Sequence, residues 1–304
     1  MNYLYDFDIS ELKKIHRGKV RDSFRVNDQQ RLIVVSDRIS AFDSNLKNPI
    51  PSKGAVLNGI ANWWFENTRH ITDNHVVKMI GTNAMLVKEA VPIRVEMVVR
   101  GYICGSVWRG YEKGERTFSG ANLPNNLTRN ARFPQAILTP TTKEKNDRPI
   151  TPDEIVTEGW TTAELYEQMS KKALALFDFG SKVMAERGYI LVDTKYEFGL
   201  LDGELILIDE IHTPDSSRFW SAEDYAKAPS KAAQIDKEFV RQWMLANRTP
   251  DGNLPNTLSD EVVAEAIRRY RHIYETLTGE ELKWDENGDA LQQLKEELRK
   301  EDII

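Results

Sequence analysis

Around residue 195 the chain sets acids and a lysine at alternate positions. An extended strand points successive side chains to opposite faces. In Val192-Asp193-Thr194-Lys195-Tyr196-Glu197-Phe198 the polar Asp193, Lys195 and Glu197 therefore share one face, and Val192, Thr194, Tyr196 and Phe198 share the other. After Leu201-Asp202-Gly203 the chain returns as Leu205-Ile206-Leu207-Ile208-Asp209-Glu210. An acid on each strand of one hairpin, here Glu197 and Asp209, can hold a divalent cation together with substrate phosphates, which is how Mg²⁺ is usually bound. The turn decides whether these acids meet. A two-residue Asp-Gly turn pairs Leu201 with Glu204 and sends Glu197 and Asp209 to opposite faces. A three-residue turn with Gly203 left-handed pairs Leu200 with Glu204 instead. Glu197 and Asp209 then join Asp193 and Lys195, with Lys195 opposite Asp209, and Val192, Tyr196, Phe198, Ile206 and Ile208 form the core face. The three-residue turn is the expectation. A hairpin with a merely solvated polar face is the competing reading.

Other segments have the composition of anion sites. In Arg17-Gly18-Lys19-Val20-Arg21-Asp22 a glycine precedes alternating basic residues, so backbone can approach a phosphate chain while Lys19 and Arg21 share a face. The Gly-Lys-Ser/Thr ending of a Walker loop is missing, and an ordinary basic strand is the alternative. Arg100-Gly101-Tyr102-Ile103-Cys104-Gly105-Ser106 has two glycines that let the backbone bend, with Arg100 and Ser106 as donors. Pro214-Asp215-Ser216-Ser217-Arg218-Phe219-Trp220 follows the hairpin and supplies Arg218 as a second clamp. Loops carrying a surface arginine are the alternative for both. Ser36-Asp37-Arg38-Ile39-Ser40-Ala41-Phe42-Asp43 reads on its own as turn chemistry at a strand exit. Cys104 reads as a small buried residue rather than a nucleophile.

The rest of the chain must position these groups. Its 304 residues are 40% hydrophobic and 29% charged, a globular composition with enough apolar side chain for real cores. The formal net charge of −6 removes any global field toward nucleic acid or an anionic membrane, so anionic ligands need local basic clusters. One cysteine permits neither an intramolecular disulfide nor a cysteine-based zinc site, and a reducing cytoplasm fits. No His-x-x-x-His pair occurs, the N-terminus does not read as a secretion signal, and no apolar run reaches the ~20 residues that span a bilayer.

Short β-branched runs at 31–36, 84–87 and 93–99 read as strands, with Pro92 breaking the last two apart, and 54–67 reads as a helix. Few helices among these strands suggest an antiparallel, α+β lobe over residues 1–100. Residues 101–152 are punctuated by prolines and read as loop-rich. Residues 161–187 form a strong helical pattern, capped by Thr161 or Thr162 and ended by Gly188. The hairpin completes a second region, 101–226. Amphipathic helices over 231–247, 259–276 and 290–300 make a C-terminal helical region, 227–304.

Taken in order, Gly18-Lys19-Val20-Arg21-Asp22, Ser36–Asp43, Arg100–Ser106, Leu191–Gly199 and Asp209-Glu210 followed by Thr213–Trp220 resemble the phosphoribosylaminoimidazole-succinocarboxamide (SAICAR) synthetases, in their longer form, across residues 15–245. The resemblance implies a kinase-like antiparallel nucleotide lobe over an α/β lobe, with ATP in the cleft between them. It implies a purine-biosynthetic ligase that converts ATP, carboxyaminoimidazole ribonucleotide (CAIR) and L-aspartate to SAICAR, ADP and phosphate. Carried over residue by residue, it assigns Glu197 and Asp209 to Mg²⁺. Gly18, Lys19, Val20 and Arg21 go to the ATP phosphates, with Lys143, or Lys145 in the same loop, near the nucleotide. Lys19, Arg21 and Lys195 serve catalysis. Arg100, Ser106, Asp193 and Arg218 hold CAIR, and Asp37, Arg38, Ser40 and Lys53 are candidates for aspartate. The charge balance and the lack of a basic stripe with interleaved aromatics disfavour a nucleic-acid or membrane partner, a cytoplasmic location is expected, and the sequence leaves monomer or homodimer undecided. A small-molecule kinase on the same nucleotide fold is the alternative, though no His-Arg-Asp occurs and the one Asp-Phe-Gly, Asp178-Phe179-Gly180, lies inside the 161–187 helical pattern instead of a loop.

Overall fold

The computed structural model describes every residue except 43, 145 and 233–237, and only the backbone of Ser44, Lys231 and Glu238. The chain falls into two compact units: residues 1–66 with 75–89 and 235–304, and residues 67–74 with 90–234. Both are built on antiparallel sheet with helices added, an α+β architecture.

In the first unit, strands Lys13–Arg17, Arg21–Arg25, Gln30–Val35, Ala84–Lys88 and Val76–Ile80 lie side by side in that order. Phe24, Leu32, Val34 and Leu86 from this sheet pack with Leu4, Phe7 and Ile9 and with Ala290, Leu294 and Leu298 of helix Ala290–Lys300. These three helical residues recur every fourth position, the spacing that puts them on one face. Helices Glu238–Ala246 and Asp260–Thr278 bring Val240, Met244, Val262 and Ala266 against Ile39, Leu46 and Ile50. The C-terminal helices thus belong with the N-terminal strands. The helix expected over 231–247 is described from Glu238; its earlier part overlaps residues outside the description.

The second unit's sheet runs Arg132–Leu138, Val91–Tyr102, Tyr189–Leu201, Glu204–Ile208. Strand Val91–Tyr102 belongs here because its long partner is Tyr189–Leu201; Pro92 marks the point where the chain leaves the first unit's sheet. Thr141–Thr142 adds to the same strand, and Ser217–Ser221 adds to Tyr189–Leu201. The 101–152 region is more ordered than its prolines suggest. It contains helix Gly105–Glu112 and strand Arg132–Leu138, whose hydrogen-bonding partner is distant in sequence and so invisible to a local reading. Helix Ala163–Glu186 is capped by the Thr162 side chain, and it buries Met169, Ala173, Leu176, Phe177, Gly180 and Met184.

The hairpin register differs from the expected one. Leu201 pairs with Glu204 and Glu197 with Ile208, so Asp202-Gly203 is a two-residue turn. Both residues have positive φ, 52° and 87°, the conformation that matches the right-handed twist of the strands and that Asp-Gly favours. Ile206 and Ile208 accordingly flank the polar face, where they pack with Ala90 and Leu201, while Leu205 and Leu207 join the face of Tyr196 and Phe198.

His212 sits behind this sheet, fully buried, with its Nε2 2.5 Å from the Tyr196 hydroxyl. A Cβ on Gly180 would lie 2.3 Å from the imidazole Cε1, so the helix must carry glycine there for the ring to fit. Burial pushes the imidazole from its ordinary 6.5 down to about 3. Between those values the unfolded chain binds a proton that the native state refuses. The resulting stability is therefore fully present above pH 6.5 and drains as pH falls toward 3, by up to about 1.4 kcal/mol per pH unit. Denaturant titrations at pH 7 and pH 5 should show His212→Asn losing about 2 kcal/mol less than the parent over that interval. Equal losses would mean the imidazole is not held neutral.

Candidate active site

Two charge clusters share one face of strand Tyr189–Leu201. The first centres on Asp193, which the register sets opposite Arg100 on one neighbouring strand and Arg218 on the other. Arg100 Nη1 donates to Asp193 Oδ2 at 3.0 Å, and Arg218 Nη1 donates to the same oxygen. Arg100 Nε is held by the Thr139 hydroxyl at 2.8 Å. Burial lowers the Arg100 pKa and Asp193 opposes that shift. Two guanidiniums against one carboxylate leave the cluster with excess positive charge. Helix Gly105–Glu112 begins beside it: a Cβ on Gly105 would stand 2.8 Å from both terminal nitrogens of Arg218, and Gly105 has φ +59°. Ser106, in the first turn of that helix, is exposed. Helix N-terminal N–H groups and arginine forks are the usual partners of phosphate. Cys104 lies in the same cluster, with Sγ 3.7 Å from Asp193 Oδ2. Burial pushes its thiol up to about 12, which removes it as a nucleophile.

The second cluster centres on Lys195, roughly 7 Å further along the same face at a strand's rise per residue. Its Nζ donates to Glu96 Oε1 and Glu197 Oε1, each at 2.8 Å, and Lys143 Nζ pairs with the other oxygen of Glu197. Glu96 stands directly across from Glu197 on the adjacent strand. Burial disfavours charge on Lys195, but Glu197, Asp209, Glu96 and Glu210 outweigh it and hold the ammonium well above its ordinary pKa. Burial likewise works against the Glu197 carboxylate, and Lys195 and Lys143 bring it below its usual range.

Asp209 reaches this cluster by a route other than strand alternation. The strand ends at Ile208, and Asp209 takes φ +67°. A left-handed residue breaks the pleat, so the face predicted from the register no longer applies. Edge pairing resumes at Ser216, whose carbonyl accepts the Lys195 N–H at 3.3 Å, and at Ser217, opposite Thr194. Lys195 thus does not stand opposite Asp209: its cross-strand neighbour is Val98, and Asp209 and Glu210 act on its ammonium from the segment that follows Ile208.

Four acids around two lysines leave an excess of two negative charges, and all the donors are hard oxygens. That suits Mg²⁺, which is bound by one or two carboxylates plus phosphate oxygens. Among the described residues no three acids, histidines or cysteines close on one point, so any such ion would complete its shell with substrate and water.

Gly18, Lys19, Val20 and Arg21 lie in the first unit, at the turn between its first two strands, with Lys19 exposed. Asp37, Arg38, Ser40 and Lys53 are also in the first unit and are buried. Asp37 accepts the N–H of Leu4 at 2.7 Å and of Gly54 at 2.8 Å, and burial raises its pKa to about 7 against those bonds. Arg38 is committed to backbone carbonyls and Asp22. These two have structural partners in place of a substrate-facing position. Lys53 Nζ lies 5.4 Å from the centre of the Tyr270 ring. Lys145 lies outside the described residues.

Glu96, Glu210 and Thr139 are absent from the sequence-derived set. Glu96 was within reach of it: Arg94, Glu96, Val98 and Arg100 alternate onto one face, and Arg100 was already a candidate.

A family model described as SAICAR synthetase matches residues 14–254. The phosphoribosylaminoimidazole-succinocarboxamide synthase of Legionella pneumophila (strain Lens) is 44% identical over 285 residues, 90% of each chain. The chloroplastic enzyme of that name from Arabidopsis thaliana is 46% identical over 279 residues, 88% of this chain and 67% of its own. The SAICAR synthase of Saccharomyces cerevisiae, solved with SAICAR, superposes with a TM-score of 0.81 at 32% identity, over 91% of this chain and 99% of that one. None of these relatives is a kinase, and the kinase alternative is set aside. With two charge clusters on one strand face and this likeness along its length, the chain belongs to the SAICAR synthetase family, ligases of purine biosynthesis.

Proposed function

We propose that the protein joins the amine of L-aspartate to the carboxylate of CAIR, consuming ATP and releasing SAICAR, ADP and phosphate. The observation that carries this reading is the single strand face on which Asp193, Lys195 and Glu197 alternate, with Arg100 and Glu96 on one side and Arg218 on the other. In the proposed reaction a carboxylate oxygen of CAIR attacks the γ-phosphorus of ATP, and ADP leaves with the bridging oxygen's electrons. The aspartate amine then attacks the acyl phosphate carbon, phosphate leaves, and the amine loses a proton. A carboxylate is a poor acyl donor at neutral pH, and phosphorylation supplies a leaving group.

The Arg100–Asp193–Arg218 cluster, with Ser106, would hold the ribonucleotide phosphate and ribose. Lys195 would neutralise charge on the transferring phosphoryl group, which needs positioning and electrostatics more than covalent help. Lys19 and Arg21 would bind the ATP phosphates. Glu197 and Asp209 would hold Mg²⁺, which when bound lowers the charge of the phosphates. Lys143 would exchange its bond to Glu197 for the nucleotide. Ser40 remains as an aspartate candidate; Lys53 is 0% exposed and, like Arg38, meets no solute directly. A cytoplasmic location is part of the reading and is supported by the lone, buried Cys104; among the described residues no helix is long and apolar enough to cross a membrane.

ADP release measured with ATP, Mg²⁺, CAIR and L-aspartate, omitting each in turn, tests the proposal. Release should require all four and be accompanied by succinocarboxamide formation. Release without aspartate would reduce the site to a kinase or ATPase.

A further inference from the structure

The segment Ser36-Asp37-Arg38 grips the backbone of the 18–20 turn from inside the first unit. Arg38 Nη2 donates to the Gly18 carbonyl at 3.2 Å and Nε to the Lys19 carbonyl at 3.1 Å. The Val20 carbonyl accepts from the Ser36 N–H at 2.8 Å and the Ser36 hydroxyl at 2.5 Å. Three successive carbonyl oxygens are thereby tied to one side of the turn. Arg38 is itself fixed. Its Nη1 donates to the Tyr5 carbonyl at 2.8 Å, and its guanidinium pairs with Asp22, a buried carboxylate that Lys14 also approaches at 3.4 Å. Only 1% of Arg38 is exposed, so it meets no solute directly. The turn is tight as well: a Cβ on Gly18 would lie 2.7 Å from the Arg21 carbonyl oxygen.

Carbonyl oxygens repel a phosphate chain as surely as lysine attracts one. A turn that serves an anion must point them away. We propose that Arg38 is a positioning residue for the anion-binding turn. With Ser36 it draws the carbonyls of Gly18, Lys19 and Val20 inward, so that the turn offers Lys19 and Arg21 to the ATP phosphates. This rests on the reading that Lys19 and Arg21 hold those phosphates. A buried guanidinium is suited to the task because its rigid fork serves several carbonyls at once, and a lysine ammonium in its place is a compact point charge. A group misplaced by about 1 Å at a reacting centre costs on the order of 10²-fold in rate.

Steady-state kinetics on the full chain, with unfolding midpoints, tests this for Arg38→Lys, Ser36→Ala, Lys19→Ala and the Arg38→Lys/Lys19→Ala double variant. Arg38→Lys should raise the KM for ATP by roughly 10- to 100-fold while the KM values for CAIR and aspartate stay within about twofold. Ser36→Ala should raise it by about fivefold, the effect of one lost hydrogen bond, and carries the test if Arg38→Lys does not fold. The double variant should be less impaired than the product of its two parents, because both act through one turn. If Lys19→Ala raises the ATP KM and neither Arg38→Lys nor Ser36→Ala does, the phosphate reading stands and the positioning role is overturned. If Lys19→Ala leaves the ATP KM unchanged, that reading fails and takes this one with it. A rise confined to the aspartate KM would make Arg38 a substrate ligand, and fully multiplicative effects would show it acting elsewhere; either overturns the proposal.

Discussion

Asp209→Asn should lower kcat by about 10²- to 10³-fold and leave the fold intact, the loss expected when one preorganised charge at a phosphoryl-transfer site is removed. The substitution suits the backbone as well as the chemistry. Asp209 holds φ +67°, and asparagine enters the left-handed region as readily as aspartate does. Side-chain volume is unchanged and only the charge goes. That charge is one of four acting on Lys195, so the variant's cluster keeps Glu96, Glu197 and Glu210. The unfolding midpoint should therefore hold while the Mg²⁺ dependence of ADP release weakens, and the thermal shift produced by Mg²⁺ with ATP should shrink. Near-normal turnover at every Mg²⁺ concentration would remove Asp209 from the metal assignment.

Asp209 also marks where sequence reasoning stops working. Alternation placed Asp193, Lys195 and Glu197 on one face, and they do share it, because inside a long paired strand the period of two has nothing to interrupt it. Extending the same period through the turn required the right turn. Leu201-Asp202-Gly203 admits two, and the strand twist selects the two-residue one. That register alone would separate Glu197 from Asp209. One left-handed residue past the strand end breaks the pleat there, a conformation that sequence permits without announcing. Glu96 was missed for a different reason: its importance comes from a cross-strand partner about a hundred residues away. The partners of Arg38 are hidden for another reason: arginine in a polar strand exit normally faces water. Its burial depends on Asp22 and on the carbonyls of another turn, and neither is visible from its neighbours in sequence.

Arg218→Ala should raise the KM for CAIR by roughly 10²-fold and leave the KM for ATP nearly unchanged. On the proposed assignment Arg218 and Arg100 contribute unequally to anion binding. Arg100 is anchored twice, by Asp193 and by Thr139, and its side chain is 11% exposed. Arg218 has 25% of its side chain exposed and lies over Gly105 at the start of a helix, where an incoming phosphate would meet it. Losing its fork removes charge-assisted hydrogen bonds worth about 1.5–3 kcal/mol each from the bound anion. Asp193 is not orphaned by the change, since Arg100 still pairs with it at 3.0 Å, so the loss should fall on binding rather than folding. Arg218→Lys separates charge from geometry: it restores the positive charge without the fork and should recover only part of the affinity. Gly105→Ala is the independent check, because a methyl there would meet the guanidinium at 2.8 Å and force it aside. It should raise the same KM with Arg218 still present. Equal effects of Arg218→Ala on CAIR and ATP would move Arg218 off the ribonucleotide and make its pairing with Asp193 a structural tie between strands.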